Sequence, residues 1–356
     1  MFKQNYNVIG VMSGTSLDGV DLAHIKFHKD LNWNYEILET STIPYSESWL
    51  KILKGAVGFS ETELEKLNID YTNLLAHIIK DFISNFKIDD LDAVCSHGHT
   101  VLHKPELGFT LQIGNLPVIS ELTNQTIVCD FRVNDIRLGG QGAPLVPIGD
   151  KLLFSEYDYC LNLGGFSNIS FDENQQRIAF DISPVNTVLN YNSNILGFPY
   201  DDRGLIAKSG NFNSDLFDKL NDLDFYKLSF PKSLGIEFVN EFIFPIIKSF
   251  IIPTKDIMNT FVEHIAFQIS KVIYKKRAKL LITGGGAYND FLLERIKFYL
   301  PNIEVVIPDN KTIEFKEALI FAFLGILRMR NEINVLSSVT GAQKNHCSGL
   351  IFERKR

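Results

Sequence analysis

No stretch of this chain stays apolar long enough to cross a bilayer. The most hydrophobic run, 242–253, is interrupted by Pro245 and Lys248 and falls short of the roughly 20 residues a spanning helix needs. The opening segment, MFKQNYNVIGVMSG, has no charged head followed by an apolar stretch and a small-residue cleavage site, so no secretory signal is read there. Basic excess is also absent. Lys and Arg number 35 against 42 Asp and Glu, a formal net charge of −7, which argues against a nucleic-acid backbone as partner. A local positive pocket for a small anion stays compatible with that balance. Cysteine is scarce, and Cys95, Cys129, Cys160 and Cys347 form no CxxC pair. The first three lie in strand-like apolar runs, so the thiols read as reduced and mostly buried, without a redox or metal role. No Walker A pattern occurs, which excludes a P-loop fold, and no protein-kinase catalytic loop occurs either. These absences leave a cytoplasmic protein of enzyme size.

What is present fits two lobes. The chain has 356 residues, more than one ordinary core accommodates. Hydrophobic residues at 45% and charged residues at 22% give a globular balance in which disorder does not dominate. Apolar runs predict strands at 8–12, 20–27 and 35–42. Ser60 and Glu63 have capping-box spacing, and Leu64, Leu67, Tyr71, Leu74, Leu75, Ile78, Ile79, Phe82 and Phe86 follow at helical spacing. A strand at 91–95 runs into a His/Gly loop, a short helix covers 117–124, and a strand at 127–129 ends at Asp130. The second half repeats the order loosely: strands at 159–163, 168–171 and 177–181, a helix at 258–274, a strand at 279–283, a helix at 288–299, a strand at 304–307 and a final helix at 314–328. Two similar halves suggest a duplication. The Asn/Asp/Lys-rich stretch 208–227 reads as a surface excursion.

Six segments carry chemistry. Gly14, Thr15, Ser16, Leu17, Asp18, Gly19, Val20 and Asp21 join two strands. Their glycines expose backbone N–H groups, Thr15 and Ser16 add hydroxyls, and such a turn can cradle phosphate. Asp18 and Asp21 can reach a hydrated Mg²⁺ through water. A plain hairpin loop has the same composition. Gly164 and Gly165 hold the equivalent place in the second half. Gly284, Gly285 and Gly286, with Asn289, follow another strand and allow a flat base to approach the backbone. The segment 96–103 contains His97, His99 and His103 with Thr100. Without a carboxylate or cysteine at ligand spacing it reads as a polar substrate-binding loop in preference to a metal site. Asp130 at a strand end, then Arg132, Asp135 and the glycine-rich stretch 139–147, stand where α/β proteins bind small molecules. Asp130 is a candidate base or a structural partner of Arg132 or Arg137. Glu317 opens the last helix, where acidic residues are favoured in any case.

The motifs GVMSGTSLDGVD, SHGHTVLHKP, TLQIGN, CDFRVNDIRLGGQGAPLVP, NLGGFSNIS, PKSLGIEF, GGGAYN and KEALIFAFLG occur in the order seen in anhydro-N-acetylmuramic acid kinases, and the chain resembles that family over nearly its whole length. The resemblance implies an α/β fold of two RNase H-like lobes of the actin/hexokinase-like ATPase superfamily, with ATP in the interlobe cleft. Residues 1–150 would form the first lobe, with the phosphate turn and catalytic Asp. Residues 151–356 would form the second, with the glycine-rich nucleotide turns and a last helix packing back toward the cleft. The implied activity is opening of 1,6-anhydro-N-acetylmuramic acid with phosphorylation of O6 by ATP, in peptidoglycan recycling. Gly14 through Asp21 match the ATP phosphate turn, with Asp18 toward Mg²⁺; Asp130 matches the catalytic base and Glu317 the second active-site carboxylate. Gly164, Gly165, Gly284, Gly285 and Asn289 are expected at the nucleotide, and His99, Thr100 and Arg132 at the sugar. A homodimer is implied too. The chain departs from the family where His99 replaces a usual Gln, where Ser183 and Val185 replace the glycines of a DTGPGN-like stretch, and where Ile320 replaces a small residue. Other readings are a kinase for another anhydro sugar such as levoglucosan, and a non-catalytic ATP-switch paralogue.

Overall fold

The apolar run at 8–12 becomes the central strand of a sheet. β1 (Asn5–Ser13) lies between antiparallel β2 (Val20–Lys29) and parallel β4 (Ala93–Lys104), and its side chains are buried without a break from Val8 on. Such continuous burial marks a strand covered on both faces. β3 (Trp33–Ile43) forms one edge beside β2, while β6 (Ile127–Cys129) and then β12 (Leu350–Phe352) extend the other. β5 (Phe109–Ile113) pairs with the second half of β4. The structure is a computed structural model that describes residues 3–14 and 17–355.

The second sheet contains β7 (Tyr159–Leu163), β8 (Phe166–Glu173), β9 (Gln176–Pro184), β10 (Ala278–Thr283) and β11 (Ile303–Val306) in the order β11-β10-β7-β8-β9. β7 to β9 form an antiparallel meander, and β10 and β11 run parallel to β7. In the first sheet β1 to β3 form the same meander, followed by parallel β4 and β6. Both sheets therefore follow the RNase H-like order 3-2-1-4-5, as expected of a duplicated α/β chain. Each has its own apolar core.

The chain divides into unit 1, Met1–Leu153 with Phe315–Arg356, and unit 2, Phe154–Glu314. From sequence the second lobe runs to residue 356, whereas Phe315–Arg356 group with unit 1. The reason is close packing. The helix Asn310–Met329 departs from helical angles at Phe315, and beyond that point it belongs to unit 1. Gly10 of β1 lies so close to the Ala318 carbonyl that a Cβ there would collide with it, Gly149 makes room for Ile320, and Gly325 of the helix abuts Cys95 of β4. The unusual Ile320 is thus accommodated by a glycine opposite.

Two further expectations change. The His/Gly segment after 95 is not a loop but the continuation of β4, because its polar side chains find partners inside the protein. Residues 208–227 are not merely a surface excursion: Asn213 caps the helix Ser214–Asn221, and Leu216 and Leu220 are fully buried in the unit 2 core. The long helix Glu61–Asn85 does begin with a reciprocal capping box between Ser60 and Glu63. Cys95, Cys129 and Cys160 are buried and free, with Cys347 half-buried. Among the described residues no helix is long and apolar enough to cross a membrane.

The contact at Gly10 gives a stability prediction. Gly10→Ala should force β1 and the last long helix apart and cost about 1–3 kcal/mol, as overpacking does. Urea unfolding should show a lower midpoint at unchanged slope; a midpoint equal to the parent's would mean the helix does not rest on β1.

Candidate active site

The first turn is built by the end of β1. Leu17 N–H donates to the Gly14 carbonyl at 3.3 Å, and Leu17 has a φ of 64°. A side chain at Gly19 would run into the Ile43 carbonyl of β3, so only glycine lets β2 start there. Asp18 is exposed, and Asp21 accepts a hydrogen bond from Thr42 Oγ1 at 2.6 Å. Thr15 and Ser16 lie outside the described residues.

β6 ends at Cys129, and Asp130 follows with a φ of 59°, a left-handed conformation that Asp tolerates better than most residues. Burial raises the Asp130 carboxyl above its usual range, while the Val133 N–H and the Arg137 charge act against that rise. The next residue but one, Arg132, donates from Nε to His97 Nε2 at 2.9 Å and from Nη1 to the Gly142 carbonyl at 2.6 Å. His97 Nδ1 sits 2.9 Å from the Gly98 carbonyl. One neutral tautomer satisfies both contacts, with Nδ1–H donating and Nε2 accepting. Burial, and then the Arg132 charge, hold that ring far below the usual histidine range. Burial also pushes Arg132 down to about 10, against the opposing pull of Glu317 and Asp135.

Asp135 shapes the glycine-rich loop. Its carboxylate accepts from the Gly142 N–H at 2.7 Å and from Thr340 Oγ1 at 2.7 Å, and a Cβ at Gly140 would strike it. The signal in sequence was an acid five and seven residues before two glycines. Glu317 reaches solvent, yet the surrounding protein raises its carboxyl; Arg132 lowers it, Asp21 raises it and Lys316 lowers it. Asp21, Arg132 and Glu317 are therefore electrostatic neighbours within unit 1. Beside them, Lys316 and Asp150 form a buried ion pair at 2.8 Å.

The expected sugar-loop residues fare differently. Thr100 Oγ1 is half-buried and accepts from Gln112 Nε2 at 3.3 Å. His99 is only 3% exposed, its Nδ1 lies 2.9 Å from Ser13 Oγ, and burial lowers it to about 4. No group of three or more His, Cys, Asp or Glu able to hold a metal occurs among the described residues.

In unit 2 the Gly164 and Gly165 carbonyls accept the N–H groups of Asn186, Val185 and Thr187. Val185 is fully buried. Gly284 has a φ of 82°, and a Cβ there would strike Asn162 and the Leu163 backbone. Asn289 Oδ1 caps the helix Asp290–Tyr299 through Leu292 N–H at 2.9 Å, so half of its amide is already committed. Gly285 and Asn289 line a cavity of about 510 Å³ together with Asn186, Tyr200, Arg203 and Tyr288, the size of a small-ligand pocket. Tyr200 and Arg203 carried no recognisable motif. Tyr288 donates to Glu314 Oε1 at 2.9 Å.

Residues 6–354 match the profile described as anhydro-N-acetylmuramic acid kinase. The chain belongs to that family. A relative carrying the same description in Mannheimia succiniciproducens is 36% identical over 380 residues, covering 99% of this chain and 100% of its own. One from Actinobacillus pleuropneumoniae is 35% identical, covering 97% and 98%, and one from Bacillus cereus is 31% identical, covering 95% and 97%. As an anhydro-N-acetylmuramic acid kinase family member, the chain keeps Asp130, Arg132 and Glu317 within one unit, and its two sheets share one duplicated strand order.

His99 provides a pH test. In the unfolded chain its ring takes a proton below about pH 6.5, but in the fold it does so only near 4. The unfolded state then binds more protons over that interval, so this residue's contribution makes stability fall as pH drops from about 6.5 to about 4. His99→Asn should show a smaller loss over the same range in urea unfolding. An NMR titration placing the His99 midpoint above about 6 would contradict the buried setting.

Proposed function

We propose that this chain is an ATP-dependent kinase that opens 1,6-anhydro-N-acetylmuramic acid and phosphorylates O6, yielding N-acetylmuramic acid 6-phosphate and ADP in peptidoglycan recycling. One observation carries the mechanism. In a member of this family, the carboxyl of Asp130 stands at the end of β6, raised by burial yet kept ionisable by a backbone N–H and a nearby arginine. A carboxylate so placed can take a proton as a general base.

The substrate holds an internal acetal joining C1 to O6. Asp130 takes a proton from water as the water oxygen bonds to C1. The C1–O6 bond breaks, and O6 forms a new bond to the γ-phosphorus of ATP while ADP leaves. The sequence is half of an inverting glycosidase reaction, with phosphoryl transfer in place of protonation of the leaving oxygen. Arg132 and Thr100 face the sugar in this reading, and Glu317 orients it. The backbone of Gly14 to Gly19 supports the phosphates, with the hydroxyls of Thr15 and Ser16 as added donors. In unit 2, Gly164 and Gly165 serve the phosphate side, and the cavity lined by Gly285 and Asn289, next in sequence to the turn at Gly284, takes the nucleoside. Exposed Asp18 suits a hydrated Mg²⁺ carried by phosphate oxygens, since such an ion needs only one or two carboxylates; Mg²⁺ would offset phosphate charge. Cytoplasmic location and a homodimer belong to the same proposal.

The experiment is product analysis. With ATP and 1,6-anhydro-N-acetylmuramic acid, the protein should release ADP and a sugar 6-phosphate in equal amounts, and levoglucosan should turn over far more slowly. Asp130→Asn should keep binding both substrates while kcat falls by at least about 10²-fold, with Glu317→Gln affected less. Faster turnover of levoglucosan would reassign the substrate, and near-normal kcat in Asp130→Asn would remove it as the base.

A further inference from the structure

Ser13 is the last residue of β1 and the link directly before Gly14. The ladder between β1 and β4 is irregular there, with Val11 opposite Ser96 but Ser13 opposite His99. The backbone pairing resumes at Ser13 across this irregularity, and β2 pairs β1 as far as Met12. Side chains add to that pairing at Ser13. Ser13 Oγ lies 2.9 Å from His99 Nδ1 and 2.6 Å from the Tyr45 hydroxyl, which lies 2.6 Å from the Tyr71 hydroxyl. Ser13 is 2% exposed and Tyr71 fully buried. Each hydroxyl has one proton to give, so the chain runs in a single direction from end to end, set by the tautomer of His99. It ties the root of the phosphate turn to β4, to the segment after β3 and to the helix Glu61–Asn85.

On the same strand, two residues earlier, His97 accepts the Nε hydrogen bond of Arg132. Gly98 separates the two histidines with a φ of 72°, and a Cβ there would crowd the Ile113 carbonyl and Asn115. One short stretch of β4 thus holds the Asp130–Arg132 loop through His97 and the start of the Gly14 turn through His99. The His99 ring is too enclosed to touch a substrate without displacing its neighbours.

We propose that His99 is a positioning residue: through Ser13 it sets the phosphate turn in register with the Arg132 loop, and it does not bind sugar or metal. The inference rests on the reading of Gly14–Asp21 as the phosphate turn. Lost register should appear in two ways. The nucleotide should bind more weakly, and phosphate should pass to water instead of to O6.

The test uses the full chain with His99→Leu, Ser13→Ala and His99→Asn. The Asn amide overlays the Nδ1 side of the imidazole, so it can keep the bond to Ser13. Calorimetry with the non-hydrolysable analogue ADPNP should show about tenfold weaker binding in His99→Leu and Ser13→Ala, the loss of one well-made buried hydrogen bond. Both should also release more ADP than sugar phosphate, and His99→Asn should restore both readouts. Melting points lowered with affinity and product ratio unchanged would reduce the network to support of the fold. A parental Ser13→Ala beside a His99→Asn as damaged as His99→Leu would overturn the inference in favour of direct sugar contact. A parent that phosphorylates no anhydro sugar, while ADPNP affinity still follows this pattern, would reject the substrate reading and keep the positioning role.

Discussion

A half-buried guanidinium demands partners, and in unit 1 that demand comes from Arg132. Burying an unpaired charge costs several kcal/mol, so its surroundings must supply acceptors and opposite charge. His97 gives one acceptor and can do so only when neutral; the Gly142 carbonyl gives another. Glu317 and Asp135 supply the negative field. Meeting these needs fixes three pieces of chain against one another: the strand with the two histidines, the loop after Asp130 and the glycine-rich turn that Asp135 organises. Asp130 stands two residues from that guanidinium, so its carboxyl inherits the rigidity of the arrangement without being consumed by it.

Close packing supplies the second constraint. Gly10, Gly149 and Gly325 let the last long helix lie directly on unit 1, which brings Glu317 into the electrostatic field of Arg132 and Asp21. The Lys316–Asp150 pair is buried beside it. A lone buried lysine would be costly there, and with its partner it orients the turn that carries Glu317. Beyond Phe315 the helix is mostly apolar because it sits in a core; the adjacent charges at 316 and 317 stand out there for a reason visible only in three dimensions.

Much of this was legible in the order of residues. The strands at 127–129 and 159–163 and the Ser60–Glu63 cap are local features, and local chemistry specifies them. The glycine turns were visible because glycine alone permits the angles at Gly284 and the close approach at Gly19. What stayed hidden depends on partners far apart in the chain. Ser13 meets Tyr45 across 32 residues and His99 across 86, so nothing near His99 announces that its ring faces inward. The polar stretch after Cys95 read as a loop because its hydrogen bonds could not be foreseen. Residues from Phe315 on were assigned to the wrong half because helical periodicity shows which face is apolar, not which sheet it covers. Leu216 and Leu220 were lost in a polar stretch for the same reason. Tyr200 and Arg203 reach the unit 2 cavity from a segment without any motif.

The central claim is that Asp130 directs water to the anomeric carbon while O6, the oxygen of the anhydro bridge, captures the phosphoryl group. Turnover in oxygen-18 water tests it most directly, by mass spectrometry of the sugar phosphate. The account predicts one label on C1 of the sugar and none in the transferred phosphate, whose bridging oxygen is the original O6. Label in the phosphate, with C1 unlabelled, would contradict it and mean that water attacks phosphorus.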